Sequence, residues 1–546
     1  MAEKLWLLIP ELILFAGAVT AAVMGLSRER RVRDLLSPTV IGFLVVAGIS
    51  VPIVHGSERG VEWSSALISP GLAGYVKLLT CFVGILLVML GTGSVDRKME
   101  ADVAAGRVAF DPLRASRGEF HAFFLLSLIG VMLCSHATDL IWLFVALELT
   151  SLPTYIMVAI SRPAKRAQEA SMKYFFLGAL AAAIFLYGFA LIYGATGTVN
   201  LAELKAVLGG DGEFAGRALG PMGELGAVMV ILGISFKIAA APMHFYAADV
   251  YEGAASPVTA FLGFVPKTAG MVALMTLLSA LDWTGPDGGP IATTLWMIAV
   301  LTMTLGNIGA LLQRSVKRML AYSSVAHSGY MIIGLLAGPG IGYAAILFYL
   351  FAYGLMNTGA FAVLSGLERQ GREIESLDDL PGLRAKHPGM AWALALCSGS
   401  LLGFPPLLGF IGKLYLFIAG VQSGQVVLVV IAGLNSAISG YYYLQLIGLP
   451  ILRGSTARSE AVQSTPSAWP RIAALVAAVS VTILPVFAQP LLRAGERAVG
   501  LDAGEADAGD ASAAIPAEGD GAAATAADEA VATETPELIG EGSSAG

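Results

Sequence analysis

The stretch LGAVMVILGISFKIAAAPMHFYAADVYEGAASPVTAFLGFVPKTAGMVALMTLL, residues 225–278, decides the fold. It holds two long apolar runs, each with one lysine deep inside. Lys237 lies in Val228–Met243, a run that reaches Pro242, and Lys267 lies in Ala254–Leu278 directly after Pro266. Between them His244–Glu252 reads as a short polar bend carrying Asp249 and Glu252. Apolar runs of this length are the signature of membrane-spanning helices. A lysine near the middle of such a helix costs about 2.5–3.5 kcal/mol on insertion scales, so its retention points to function.

The rest of the chain agrees. Of its 546 residues, 56% are hydrophobic and only 13% charged, and the mean hydropathy is +0.74. That composition belongs to a polytopic membrane protein, embedded in a lipid bilayer. Nucleic acid is not expected as a partner. Cys81, Cys134 and Cys397 each fall in or beside an apolar run, far apart, with neither metal-ligand spacing nor a disulfide framework. No nucleotide-binding glycine motif follows a strand pattern. No cofactor or metal is therefore expected on this chain, and redox chemistry must belong to another polypeptide. The first run, Leu5–Leu26, is too long for a signal-peptide core and reads as a retained helix.

Fourteen runs of spanning length can be drawn, at about 5–26, 35–55, 66–92, 118–134, 138–160, 170–194, 221–243, 254–280, 291–312, 318–337, 341–366, 390–419, 425–449 and 470–492. Lysine and arginine fix the orientation. With both termini outside, the cytoplasmic segments carry 22 of the 33 basic residues and the outer segments 6. This is the pattern of a multi-pass protein of the cell's inner (plasma) membrane. The tail, 501–546, holds 11 acidic residues and no basic one among Ala, Gly, Ser and Thr. It reads as disordered, because so little apolar surface cannot offset chain entropy.

Two spans look interrupted. The seventh carries Lys237 and Pro242. The twelfth carries Gly403, Pro405 and Pro406 just before Lys413, and proline cannot continue a regular helix. Broken spans in matching positions of two halves point to a transport site built from inverted repeats. The seventh and twelfth are five apart, and an odd-numbered unit must insert upside down when repeated. The expected architecture is therefore all-α, with about fourteen helices and two inverted five-helix repeats (spans 4–8 and 9–13). Residues 1–117 would form an N-terminal three-helix segment, 118–280 the first repeat, 291–449 the second and 450–500 the C-terminal helix.

Glu148 lies mid-span in Ile141–Pro153, at a depth similar to Lys237, Lys267 and Lys413. With His244 and His327 they could form a polar row along the midplane. Burial brings lysine and glutamate within reach of titration near neutral pH. A Glu–Lys pair at about 4 Å and an effective dielectric near 20 attracts by roughly 4 kcal/mol. Moving one charge against the membrane potential costs about 2.3 kcal/mol per 100 mV. Making and breaking one such pair is thus comparable with moving one proton uphill. Lys173, near the start of span 6, and Asp249 and Glu252, in a loop without basic residues, are further relay candidates.

At these residues the sequence resembles a known family. Ala241-Pro-Met-His-Phe-Tyr-Ala-Ala-Asp-Val-Tyr-Glu-Gly-Ala254, Val265-Pro-Lys267, Lys173-Tyr-Phe-Phe-Leu-Gly-Ala-Leu180 and Lys317-Arg-Met-Leu-Ala-Tyr-Ser-Ser-Val-Ala-His-Ser-Gly-Tyr330 look like subunit N of NADH–quinone oxidoreductase, respiratory complex I (subunit 2 in mitochondria). The likeness covers about 119–445. Its core is shared with sister subunits M and L and with Mrp-type cation/proton antiporters. Asp249–Ala254 and the lysine at position 413 favour subunit N. Tyr246 stands where the family usually has Trp, and Ala247-Ala248 replaces a Thr-Pro-type pair. The resemblance implies an antiporter-like, proton-translocating subunit of the membrane arm, with Glu148 and Lys237 as coupling pair, Lys267 as connecting residue and Lys413 as terminal lysine. It also implies other membrane-arm subunits as partners, with flavin, iron–sulfur clusters and quinone in other subunits of the complex. The alternatives are an Mrp-type antiporter subunit, or a structural arm protein without its own proton path.

Overall fold

The computed structural model describes residues 2–55, 70–162, 164–209, 219–281, 283 and 289–501. The acidic tail lies outside them except for Leu501, as do Arg59 and Arg217 of the outer segments. The described chain is almost wholly helical. Twelve helices are long and apolar enough to cross a membrane, and three shorter apolar helices accompany them. Helix is what the bilayer core demands, since each backbone N–H and C=O must find a partner within the protein.

In chain order the main helices are α1 (Ile9–Gly25), α2 (Leu36–His55), α3 (Pro70–Gly91), α4 (Arg97–Ala104), α5 (Arg117–Cys134), α6 (Leu140–Ile160), α7 (Lys165–Thr196), α8 (Gly220–Lys237), α9 (Tyr246–Gly253), α10 (Ser256–Ala280), α11 (Gly289–Leu311), α12 (Val316–Ala337), α13 (Ile341–Gly366), α14 (Pro388–Leu402), α15 (Leu408–Gln422), α16 (Val426–Leu452), α17 (Trp469–Ile483) and α18 (Ala488–Ala498). Local signals set several ends. Asp139 caps α6, its Oδ1 accepting from the Trp142 backbone N–H at 2.7 Å. Gly197 stops α7 with a positive φ of 80°, which a side chain would disfavour. Short loops make α5 and α6, and α11 and α12, packed neighbours. Both pairs meet at a glycine: a Cβ on Gly130 would lie 2.4 Å from Thr150 Oγ1, and one on Gly306 2.5 Å from the Ala326 backbone nitrogen. Small residues permit such close crossing in membranes.

The centre of the bundle is α10, α12 and α13. Every residue of α10 is buried. At the perimeter, α2, α7 and α16 turn large apolar side chains outward, among them Ile49, Phe176 and Leu434. Such faces suit lipid or a neighbouring membrane protein.

One end of the bundle is polar and cross-linked. Strands β1 (Leu367–Arg369), β2 (Arg372–Glu373) and β3 (Gln463–Ser464) form a small antiparallel sheet in the order β2-β1-β3. Beside it Lys317 Nζ lies 2.7 Å from Glu373 and 3.0 Å from Glu375, and Arg162 lies 2.9 Å from Glu375. Burial pushes both carboxyls up, but Lys317 and Arg162 outweigh it and hold each below the usual glutamate value.

The bend read from the sequence at His244–Glu252 is corrected. Tyr246–Gly253 is a helix, α9, packed against α7 and α12. Its buried residues include Tyr246, Ala247, Val250 and Tyr251, while Asp249 and Glu252 point to charged neighbours. Eight residues are too few for the apolar periodicity that would have marked it as a helix.

Candidate functional site

The site begins where α8 stops. Lys237 is the last residue of α8, so it stands at a helix end rather than mid-helix. The chain then leaves helical geometry. Ala239 has a φ of 54°, and the Ala241–Pro242 peptide is cis. The freed backbone groups are taken up by neighbours: Ala241 N–H donates to Thr302 Oγ1 at 2.9 Å, and the Ser328 hydroxyl donates to the Ile238 carbonyl. Irregular backbone at membrane depth survives only with such partners.

Lys237 Nζ reaches α6. It lies 2.9 Å from Glu148 Oε1 and donates to Ser151 Oγ at 2.6 Å. It also stands 5.7 Å from the centre of the Phe185 ring. The lysine side chain is 2% exposed and the glutamate 17%. Two residues 89 apart in sequence, each costly alone, are therefore paired.

Lys267, on α10, has different surroundings. Its Nζ donates to the Ser324 carbonyl and, at 2.8 Å, to the Ser324 hydroxyl. It lies 4.7 Å from the Tyr353 ring centre. Among the described residues no carboxylate forms an ion pair with it. Ser328 ties this position to the helix break, because its hydroxyl meets both the Ile238 carbonyl and, at 3.3 Å, that of Ser324.

Lys413 sits on α15, beyond a second break. α14 ends at Leu402, with Gly403 at a φ of 87°, and α15 starts at Leu408. Lys413 Nζ reaches back across the gap to the Leu402 carbonyl at 2.8 Å and to Ser436 Oγ at 3.2 Å. It lies 5.0 Å from the Tyr330 ring centre. It too has no carboxylate partner among the described residues.

His327 lies between the last two lysines. Its Nδ1 is 2.6 Å from Tyr349 Oη and its Nε2 2.9 Å from Tyr443 Oη. Its ring is 5.1 Å from that of Tyr353, which faces Lys267, and 5.8 Å from that of Tyr330, which faces Lys413. Tyr443 continues to Ser323. Asn307 joins Tyr330, Tyr442 and Asn435.

The remaining candidates fall elsewhere. His244 is buried beside Phe245 and bonds to none of these lysines among the described residues. Lys173, Asp249 and Glu252 gather at the polar end of the bundle. There Lys173 pairs with Asp249 at 3.0 Å and Glu169 at 2.9 Å, and Arg318 pairs with Asp249 at 3.3 Å and Glu252 at 3.1 Å.

Sequence reasoning missed the hydroxyls that hold the lysines (Ser151, Ser324, Ser436) and the tyrosines around His327. Only the Ser-Ser run at 323–324, already within a quoted motif, gave a signal. Glu11 and Lys77 each stand out as a charge in an apolar run, but their pairing, buried and 2.8 Å apart, was not legible.

Comparisons with known proteins converge. Residues 137–439, more than half of the chain, match the model of the NADH:quinone oxidoreductase/Mrp antiporter transmembrane family. NADH-quinone oxidoreductase subunit N of Trichlorobacter lovleyi is 36% identical over 81% of this chain and 86% of its own length. That of Rhodospirillum rubrum is 35% identical over 84% and 90%. Among solved structures, a chain of respiratory complex I from Thermus thermophilus is 32% identical with a TM-score of 0.71, covering 90% of this chain and all of its own. A chain of the Mrp complex from a Dietzia species, 23% identical with a TM-score of 0.73 over 91% and 97%, shares the fold.

Proposed function

This chain belongs to the NADH-quinone oxidoreductase subunit N family, within the wider NADH:quinone oxidoreductase/Mrp antiporter transmembrane family, and on that footing we propose that it is a proton-translocating subunit of a complex I membrane arm. It sits beside other arm subunits, antiporter-like ones among them. Flavin, iron–sulfur clusters and quinone belong to other subunits of the complex. Protons pass through Glu148, Lys237, Lys267 and Lys413 from the cytoplasm to the outer face, where both termini lie.

The observation that carries this reading is the contrast among the three buried lysines. One is paired with a carboxylate, and two are held by carbonyl, hydroxyl and aromatic faces. Protonation of Glu148 removes the counter-charge of Lys237, which then favours release of the lysine proton. Its departure lowers the repulsion felt by a proton arriving at Lys267, and the same logic runs on to Lys413 through the Tyr353–His327–Tyr330 layer. Roughly 4 kcal/mol per pair at an effective dielectric near 20 suffices to reset each step. The drive comes from the neighbouring subunit.

Joining α8 to α9 and α14 to α15 as broken spans gives fourteen crossings. The units α5–α10 and α11–α16 then each contain five, with the break in the fourth. The glycine-mediated crossings at Gly130 and Gly306 occupy matching places in them, which supports inverted repeats. The segments 1–117, 118–280, 291–449, 450–500 and 501–546 follow from that division.

The test is Lys237→Met and Glu148→Ala in the assembled complex in sealed vesicles. Proton translocation and coupled quinone reduction fall while the complex stays intact. A normal proton-to-electron ratio in both variants overturns the proposal. Sodium-dependent, redox-independent exchange would instead assign the chain to the Mrp-type antiporters.

A further inference from the structure

Helices α6, α10 and α12, which carry Glu148, Lys267 and His327, come together again at the polar end, around two carboxylates of one short segment. Glu373 and Glu375 lie on and just after β2. The backbone of this segment is fastened to the lead-in of α12: the Val316 N–H donates to the Glu375 carbonyl at 2.8 Å, and the Leu377 N–H to the Arg314 carbonyl at 3.1 Å. The segment is therefore carried by α12, and its side chains reach across to the other two helices.

Glu373 meets the start of α10. A single oxygen, Oε2, accepts from three donors: the Ser256 backbone N–H at 3.0 Å, the Ser256 hydroxyl at 2.8 Å and Lys317 Nζ at 2.7 Å. Ser256 is the first residue of α10 and Lys317 the second of α12. Glu375 meets the chain just past α6. Its Oε1 accepts from Lys317 at 3.0 Å and from Arg162 at 2.9 Å. Arg162 also donates to the carbonyls of Glu252, Gly253 and Ala254, where α9 gives way to α10.

Helices α10 and α12 meet a second time in the interior, where Lys267 Nζ donates to the Ser324 hydroxyl at 2.8 Å. That contact lies about 16 Å along α10 from Ser256 and about 10 Å along α12 from Lys317, at 1.5 Å per residue. Helix α10 runs from Ser256 to Ala280 without interruption, and every residue of it is buried. A displacement at its start therefore arrives at Lys267 nearly undiminished. N–H···O hydrogen bonds are lost beyond roughly 3.2 Å, so a slip of about 1 Å separates Lys267 from Ser324, and a misplacement of that size can cost on the order of 100-fold in rate.

We propose that Glu373 is a positioning residue for proton transfer at Lys267: its Oε2 fixes the start of α10 against the start of α12, and so sets the separation of the Lys267 ammonium from Ser324. The proposal rests on the proton-carrying role of Lys267. The reach of the side chain matters more than its charge, because one oxygen takes all three donors and Glu375 still pairs with Lys317.

The experiment uses the assembled complex in sealed vesicles and reads protons moved per electron. Glu373→Asp keeps the charge opposite Lys317 but withdraws the oxygen by one carbon–carbon bond, about 1.5 Å. Glu373→Gln loses the charge but keeps the reach, since its amide oxygen can accept where Oε2 does. Glu373→Asp is expected to lower the ratio to that of Lys267→Met, and Glu373→Gln to retain most of it. Adding Lys267→Met to Glu373→Asp should lower it no further. Arg369, on the neighbouring strand, pairs with Asp379 at 3.0 Å, and Arg369→Ala should leave the ratio unchanged. An unchanged ratio in Glu373→Asp, or the reverse order of the Asp and Gln variants, overturns the proposal and leaves the cluster an ion-pair clamp. So does a double variant below both singles, or an Arg369→Ala effect equal to that of Glu373→Asp. If Lys267→Met itself pumps normally, the functional reading of the chain fails first, so the two failures are distinguishable.

Discussion

The two helix breaks solve one problem in two ways. Each places a lysine beside the C-terminal end of a half-helix: Lys237 is itself the last residue of α8, with its ammonium turned to Glu148 and Ser151 of α6, and the Lys413 ammonium reaches back to the carbonyl of Leu402, the last residue of α14. Helix C-termini carry partial negative charge and favour cations. The first break adds a full counter-charge, Glu148, and the second adds none among the described residues. A paired charge is stable until its partner is neutralised, and in the proposed function it acts as a latch. An ammonium held by dipoles and an aromatic face lacks that counter-charge, and in the proposed function it acts as a transfer stage.

The comparison can be broken most sharply at the latch. Glu148→Ala strands a buried ammonium, and breaking such a pair from one side costs about 3–5 kcal/mol. Thermal unfolding in detergent should show the loss, and Glu148→Gln combined with Lys237→Met should recover most of it without recovering pumping. If the single and double variants melt alike, the pair is not a latch. At the second break the stability loss should be smaller. Lys413→Met leaves a carbonyl and a hydroxyl short of one donor, worth about 1–3 kcal/mol, while coupled quinone reduction still falls. A loss as large as that of Glu148→Ala would reveal a counter-charge.

A third test sharpens the contrast between membrane interior and polar end. Glu373 and Glu375 are held below the ordinary glutamate value of 4.5 by Lys317 and Arg162, against the opposing effect of burial. A carboxyl depressed in the folded state contributes stability that is fully present above its unfolded value and lost as pH falls through the folded one. Melting temperature should therefore drop as pH falls below 4.5, and Glu373→Gln with Glu375→Gln should flatten that limb. The smallest effect is expected at Lys173, whose ion pairs with Glu169 and Asp249 are half exposed. Lys173→Ala should leave the melting temperature unchanged, because solvent screens such pairs. A marked loss of pumping there would make this rim a proton entry.

Sequence and structure agree where the signal is a cost. A charge inside an apolar run stands out, so Glu148, Lys237, Lys267 and Lys413 were legible one by one. So were both interruptions, because proline and glycine mark them directly. The partners were not legible. Ser151, Ser324 and Ser436 look like ordinary helix serines until folding brings an ammonium within 3.2 Å. Tyr349 and Tyr443 read as core aromatics, and only their meeting at His327 gives their hydroxyls a role. Lys317 entered the reading as a count for orientation and within a quoted motif, Glu373 and Glu375 not at all, and their pairing needed the fold. Helix α9 was hidden by its shortness, with the two acids on one face looking like loop residues.

The complete enclosure of α10 has a consequence for how the protein meets its surroundings. Changes in bilayer thickness or headgroup chemistry act on whatever touches the lipid, which here is a sleeve of perimeter helices. The strut that carries Lys267 is shielded by that sleeve, so a change in the bilayer can reach Lys267 only through the helices packed around it.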